Sequence, residues 1–161
     1  MQFDHERLDV YSLSRELNRE VAGIIRELPP GNWESKDNLE RAVKSIGRNL
    51  AEGAGKWLLA DKIHFYQISR GSGTEGAASI DELVDWGLVA PERVVRAKDL
   101  LWRIVGSLTA LIQKLESMPH RENAPKRRSL TPTTRSTAPA RAPAPARRVP
   151  HPQPEERSGA G

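Results

Sequence analysis

The stretch PERVVRAKDLLWRIVGSLTALIQKLESMP, residues 91–119, decides the fold. Its apolar residues Val94, Ala97, Leu101, Ile104, Leu108, Leu111 and Leu115 repeat at intervals of 3, 4, 3, 4, 3 and 4. That heptad spacing gathers them on one stripe of an α-helix and would scatter them over both faces of a strand. Pro91 suits the first helical position, where its missing N–H would have had no partner, and the helix ends before Pro119.

The same reading, carried back toward the N-terminus, gives three more helices. Val10, Leu13, Leu17, Val21, Ile24 and Leu28 form one stripe, stopped by Pro29, Pro30 and Gly31. Leu39, Val43, Ile46 and Leu50 form the next. Its helix is expected to start near Ser35 or Asp37, either of which can accept hydrogen bonds from first-turn amides, and to end at Gly53 and Gly55. A third segment, about residues 60–86, carries Ile63, Tyr66, Ala77, Ile80 and Val84 on one face, which shrinks to Ser69 and Gly73 between Tyr66 and Ala77. Small residues there let a neighbouring helix come close. Gly71, Gly73 and Gly76 each cost roughly 1 kcal/mol relative to alanine in a helix, so a break near Gly71 is open.

Nothing between these segments alternates like a strand, and short connections make consecutive helices antiparallel neighbours. The expected fold is all-α, an up-down-up-down four-helix bundle over residues 1–117. Tyr11 and Ile25 widen the apolar face of the first helix, and Leu100, Val105 and Ile112 that of the last. These wide faces read either as a thick core or as a subunit interface.

The 161 residues carry a formal charge of +4 that is unevenly divided: residues 1–117 are net −2 and residues 118–161 net +6. All eight aromatics lie in the first part and nine of the twelve prolines in the second. With only Met118, Leu130 and Val149 as large apolar residues, the C-terminal 44 cannot bury enough surface to offset their chain entropy, and a disordered Pro/Arg/Ala-rich tail is expected. Without cysteine there are no disulfides, thiolate zinc sites or cysteine nucleophile, which fits a reducing compartment. The N-terminus is charged from Asp4 onward and the longest apolar run is Trp57 to Ala60, so neither a signal peptide nor a membrane span is expected and the cytoplasm is the default.

Chemistry-bearing patterns are sparse. Gly71-Ser72-Gly73-Thr74-Glu75-Gly76 spells G-x-G-x-x-G, but the residues before it read as helix where a dinucleotide site needs a strand. No histidine follows a glutamate by three residues, as a di-iron bundle would require, and Asp61 with His64 reads as a solvated pair. No catalytic residue, metal or cofactor is expected, and the chain does not read as an enzyme. Arg41, Lys44 and Arg48 share one polar face opposite the Leu39 stripe, with Lys56 just beyond. They read either as phosphate contacts or as an ordinary solvated face. Lys126, Arg127, Arg128, Arg147 and Arg148 in the tail could neutralise phosphates without reading sequence, or serve only solubility.

Three blocks carry a resemblance: Leu8-Asp9-Val10-Tyr11, then RAVKSIGRNLAEG over residues 41–53, then FYQISRGSGTE over residues 65–75. Their order and separation resemble the bacterial four-helix bundle proteins encoded in intervening sequences of 23S rRNA genes, across about residues 3 to 115. The resemblance implies a homopentamer and kinship with the accessory variability determinant of diversity-generating retroelements, which binds nucleic acid and its reverse transcriptase through a basic surface. Gly73 stands where that family usually has a larger apolar residue. The shared polar residues Asn49, Glu52, Arg70, Ser72 and Glu75 are expected to join the second and third helices by charged hydrogen bonds. The leading expectation is thus a non-enzymatic, oligomeric bundle that binds RNA or DNA through phosphate contacts. The alternative is an accessory subunit that docks on a protein such as a reverse transcriptase.

Overall fold

The computed structural model of the protein describes residues 1–118. The expected tail, with Lys126, Arg127, Arg128, Arg147 and Arg148, lies outside the described residues. A single 3-10 turn, Asp4–Arg7, leads into α1 (Asp9–Glu27), α2 (Trp33–Gly55), α3 (Leu59–Asp85) and α4 (Pro91–Glu116). There is no strand among the described residues. Each helix touches its two neighbours in the order α1, α2, α3, α4 and back to α1, and the diagonal pairs do not meet. The fold is therefore the four-helix bundle that the apolar stripes imply.

Leu17, Ile24, Leu39, Ile46, Leu50, Ile80, Leu101, Ile104 and Leu108 are fully buried in one continuous core. On α4 the burial departs from the heptad: Leu100 and Ile112 are buried while Leu111 and Leu115 are only half-buried. A straight helix of 3.6 residues per turn drifts by about 20° per heptad, so the inward stripe passes from one row to the next. Leu100 and Ile112 thus belong to the bundle's own core, Tyr11 and Ile25 are half-buried against it, and Val105 is half-buried.

One boundary and two details of α3 refine the sequence reading. α2 begins at Trp33, two residues before Ser35, because the chain has already turned at Pro29 to Gly31, where Gly31 has φ of 93°. Neither Ser35 nor Asp37 caps it, and the amide of Asn32 donates instead to the Pro29 carbonyl at 3.4 Å. α3 runs unbroken through Gly71, and its inward residue near the C-terminus is Leu83 in place of the half-buried Val84. α3 ends at Asp85, as its segment implies. There Gly87 takes φ of 65°, its N–H donates to the Val84 carbonyl and that of Leu88 to the Leu83 carbonyl, at 2.9 Å each. This left-handed cap satisfies two end carbonyls and folds Leu88 back against the core.

The small residues of α3 do what their size allows. A Cβ built on Gly73 would lie 2.9 Å from Val105 Cγ2, and one on Gly76 3.5 Å from Leu101 Cδ2 and 3.6 Å from Val43 Cγ2. Side chains of α2 and α4 occupy the volume that larger residues on α3 would need.

Candidate nucleic-acid interface

α1 is sorted by charge. On a helix of 100° per residue, Glu16, Glu20 and Glu27 fall within about 40° of one another, and Arg15, Arg19 and Arg26 form a second group about 100° away. The acidic edge meets α4. Arg93 donates to both oxygens of Glu27, at 2.6 and 3.0 Å, and to Glu20, while Arg96 donates to Glu16 at 2.7 Å. The Arg93 guanidinium holds the Glu27 carboxyl below the usual carboxylate range, and hydrogen bonds to Glu27 and Glu20 in turn raise Arg93 above the ordinary arginine value. Lys98 of α4 likewise pairs with Asp81 of α3 at 2.6 Å. These α4 cations are thus committed to the seams of the bundle.

The outward face of α1 is different. Arg15, Arg19 and Arg26 are exposed and make no ion pair among the described residues. Arg26 lines an open groove between α1 and α2 together with Asn18, Ala22, Ile25, Glu40 and Lys44. Of the expected cations of α2, Lys44 thus shares this groove. Arg41 is exposed, hydrogen bonded to Asn38 at 2.6 Å and 3.8 Å from Asp37. Lys44 pairs with Glu40, one turn back on its own helix. Arg48 is exposed with no ion pair among the described residues. Lys56, just past α2, pairs with Glu52 at 2.5 Å and lies 4.8 Å over the Phe65 ring.

Pairs between exposed charges one turn apart are worth only about 0.3–0.5 kcal/mol, so an arriving phosphate can displace the carboxylates of Asp37 and Glu40. The α1–α2 face therefore offers Arg15, Arg19, Arg26, Arg41, Lys44 and Arg48 against few competing acids. Sequence reading found the α2 members and missed those of α1. Their positions 15, 19 and 26 repeat at helical spacing opposite the apolar stripe, and a charge-sorted wheel shows them.

The polar residues shared by α2 and α3 arrange themselves otherwise than expected. Ser45 Oγ and Ser72 Oγ are 2.8 Å apart, Asn49 donates to Ser45 Oγ at 2.9 Å, and Ser69 Oγ donates to the Ile46 carbonyl at 2.9 Å. This link between the helices is neutral, and Asn49 and Ser72 meet through Ser45. Arg70 instead reaches α4, where its Nε donates to Thr109 Oγ1 at 2.8 Å, and Glu52 serves Lys56. Glu75 is exposed and has no ion pair among the described residues. The physical reason is burial: the α2–α3 contact excludes water, which favours hydroxyls and small residues and leaves charged ends at its rim. Gly71 to Gly76 lie in the middle of α3 with helical backbone, so their amides are turned into the helix and form no phosphate cradle.

No described helix is long and apolar enough to cross a membrane. No curated protein matches the chain. The family of 23S rRNA-intervening sequence proteins matches residues 6–110, from the first turn of the structure into the last third of α4. Over half of the chain, including the whole of α1, α2 and α3, is covered by that match, and the chain belongs to the 23S rRNA-intervening sequence protein family.

Proposed function

We propose that this protein is a non-enzymatic, cytoplasmic, oligomeric helical bundle that binds RNA or DNA through phosphate contacts on its α1–α2 face. One observation carries the reading: Arg15, Arg19, Arg26 and Arg48 are exposed with no ion pair among the described residues, and Arg26 and Lys44 line one groove between α1 and α2. Arg41, Lys44 and Lys56 extend the row, their surface pairs being weak enough to exchange for phosphate. Membership in a family of 23S rRNA-intervening sequence proteins supports a role connected with RNA. Self-association is supported by the opposite side of the bundle, where Trp102 is 80% exposed beside Thr74, Ala77 and Val105.

The test is binding of labelled mixed-sequence RNA and DNA across a salt series. Log affinity should fall linearly with log salt, and replacing Arg15, Arg19 and Arg26 together by glutamine should make the slope shallower by about 2 to 3. Undetectable binding at low ionic strength removes the proposal. A second reading, an accessory subunit docking on a protein such as a reverse transcriptase, is favoured by the carboxylates that already accompany Arg41, Lys44 and Lys56. Unchanged nucleic-acid affinity after charge reversal at Arg41, Lys44 and Arg48, with loss of a protein partner, would select it.

A further inference from the structure

At the end of the bundle where α2 gives way to α3, aromatic and cationic side chains collect. Trp57 is 100% exposed and Phe3 73%. Phe3 lies nearly parallel to His5, with ring centroids 5.7 Å apart and planes at 11°, and His5 meets Tyr11 edge-on at 4.6 Å. A cleft bordered by Phe3, His5 and Arg48 opens beside Gly55, two residues before Trp57. Its carboxylates belong to Asp4 and to Glu52, and Glu52 is held by Lys56.

Tryptophan usually hides most of its large apolar area. Nothing among the described residues covers the Trp57 indole, and the 3-10 turn that positions Phe3 packs on α2 and α1 while leaving that ring outside. Arg48 lines this cleft and stands at helical spacing from the exposed Arg41 and Lys44 of α2, which ties the aromatic end to those cations.

We propose that this end is a base-stacking site and that the protein binds unpaired nucleotides of RNA or DNA in preference to duplex. The proposal rests on the nucleic-acid reading above and narrows its substrate. In a duplex the faces of the bases are hidden in the stack, whereas an unpaired base presents a π-face to Phe3 or Trp57 while its phosphates meet Arg48 and the row beyond. Charge selects this occupant over a neutral apolar segment: Phe3 borders the cleft with Arg48, and Trp57 directly follows Lys56 in the chain. The cleft's carboxylates are acceptors suited to the exocyclic amino groups of bases.

The experiment uses the full chain and a labelled single-stranded RNA of mixed sequence, beside a fully paired duplex of equal length, at one low salt concentration. Single strand should bind more tightly than duplex. Phe3→Ala and Trp57→Ala should each weaken single-strand binding by roughly 5- to 100-fold and leave duplex binding unchanged, and Trp57→Phe should restore most of the loss. Because both side chains are exposed, the melting temperature of each variant should match the parent, which separates lost stacking from lost fold. Equal affinity for both strand forms, or single-strand binding untouched by the double alanine variant, overturns the stacking site; a salt-dependent affinity that survives either result leaves the phosphate reading standing. No binding to either probe overturns both.

Discussion

Gly87 and Gly71 lie sixteen residues apart and demand opposite things of a side chain. Gly87 has φ of 65° in the cap that ends α3, a conformation in which a Cβ crowds the following carbonyl. Gly71 is helical, exposed and has nothing within 4 Å of where a Cβ would sit, so it only adds chain entropy to the unfolded state. Gly87→Ala is expected to destabilise the protein by about 1 to 2 kcal/mol, and Gly71→Ala to stabilise it by up to about 1 kcal/mol. Midpoints of urea unfolding should move in opposite directions. A gain at Gly87 would remove the left-handed cap, and a loss at Gly71 would mean that something outside the bundle needs its bare surface. The sequence could not rank these two glycines: Gly71 sits in a glycine-rich run that imitates a loop motif, and the cap at Gly87 is defined by bonds to Val84 and Leu83 that only the folded chain displays.

Among the elements, α1 organises the rest, because its apolar stripe faces the core, its acidic edge meets α4 and its outward face carries arginines. The seam with α4 joins Glu16, Glu20 and Glu27 to Arg93 and Arg96. Hydrogen bonding from Arg93 lowers the Glu27 pKa, and the unfolded chain has the ordinary value of about 4.3. A carboxyl with a depressed folded pKa contributes stability that is fully present above the unfolded value and is lost as pH falls through the folded one. Glu27→Gln should therefore lower the melting temperature near neutral pH, and its difference from the parent should shrink as the pH drops below about 4 and vanish in strong acid. A difference that stayed constant across the acid range would show that Glu27 acts through packing and not through charge. The helices themselves were legible, since Val94 to Leu115 and Val10 to Leu28 declare their period unaided. What was not legible was which of two adjacent rows on α4 points inward at each level, because the drift between a 3.5 and a 3.6 repeat accumulates with length and is settled by the helices opposite. Of the five polar residues expected to join α2 and α3, Asn49 and Ser72 meet through Ser45 while Arg70 bonds to α4 and Glu52 to Lys56; the hydroxyl-to-hydroxyl chemistry at Ser45 and Ser72 follows from how closely α2 and α3 approach.

For the whole molecule, net charge misleads in both directions. Residues 1–117 sum to −2, yet Glu16, Glu20, Glu27 and Asp81 are taken up by α4 cations in the seams, while Arg15, Arg19, Arg26 and Arg48 are exposed without an ion pair among the described residues. The +6 of residues 118–161 sets the basic pI, and among the described residues every buried member of the core precedes residue 113. A chain ending at Met118 should consequently melt at the temperature of the full chain, and comparing the two in nucleic-acid binding divides the activity between the parts. If the six cations Arg15, Arg19, Arg26, Arg41, Lys44 and Arg48 each neutralise a phosphate of a single strand, the shortened chain should retain a salt slope of about −4. The full chain should show the same slope made steeper by whatever basic residues beyond 118 engage, with higher affinity at low salt and convergence of the two curves as salt rises. Retained binding with a slope near −4 would locate the primary contact on the bundle. Abolished binding at an unchanged melting temperature would transfer it to residues 119–161 and refute the α1–α2 face, since a cationic row that cannot hold a polyanion without help from elsewhere is only a solvated surface.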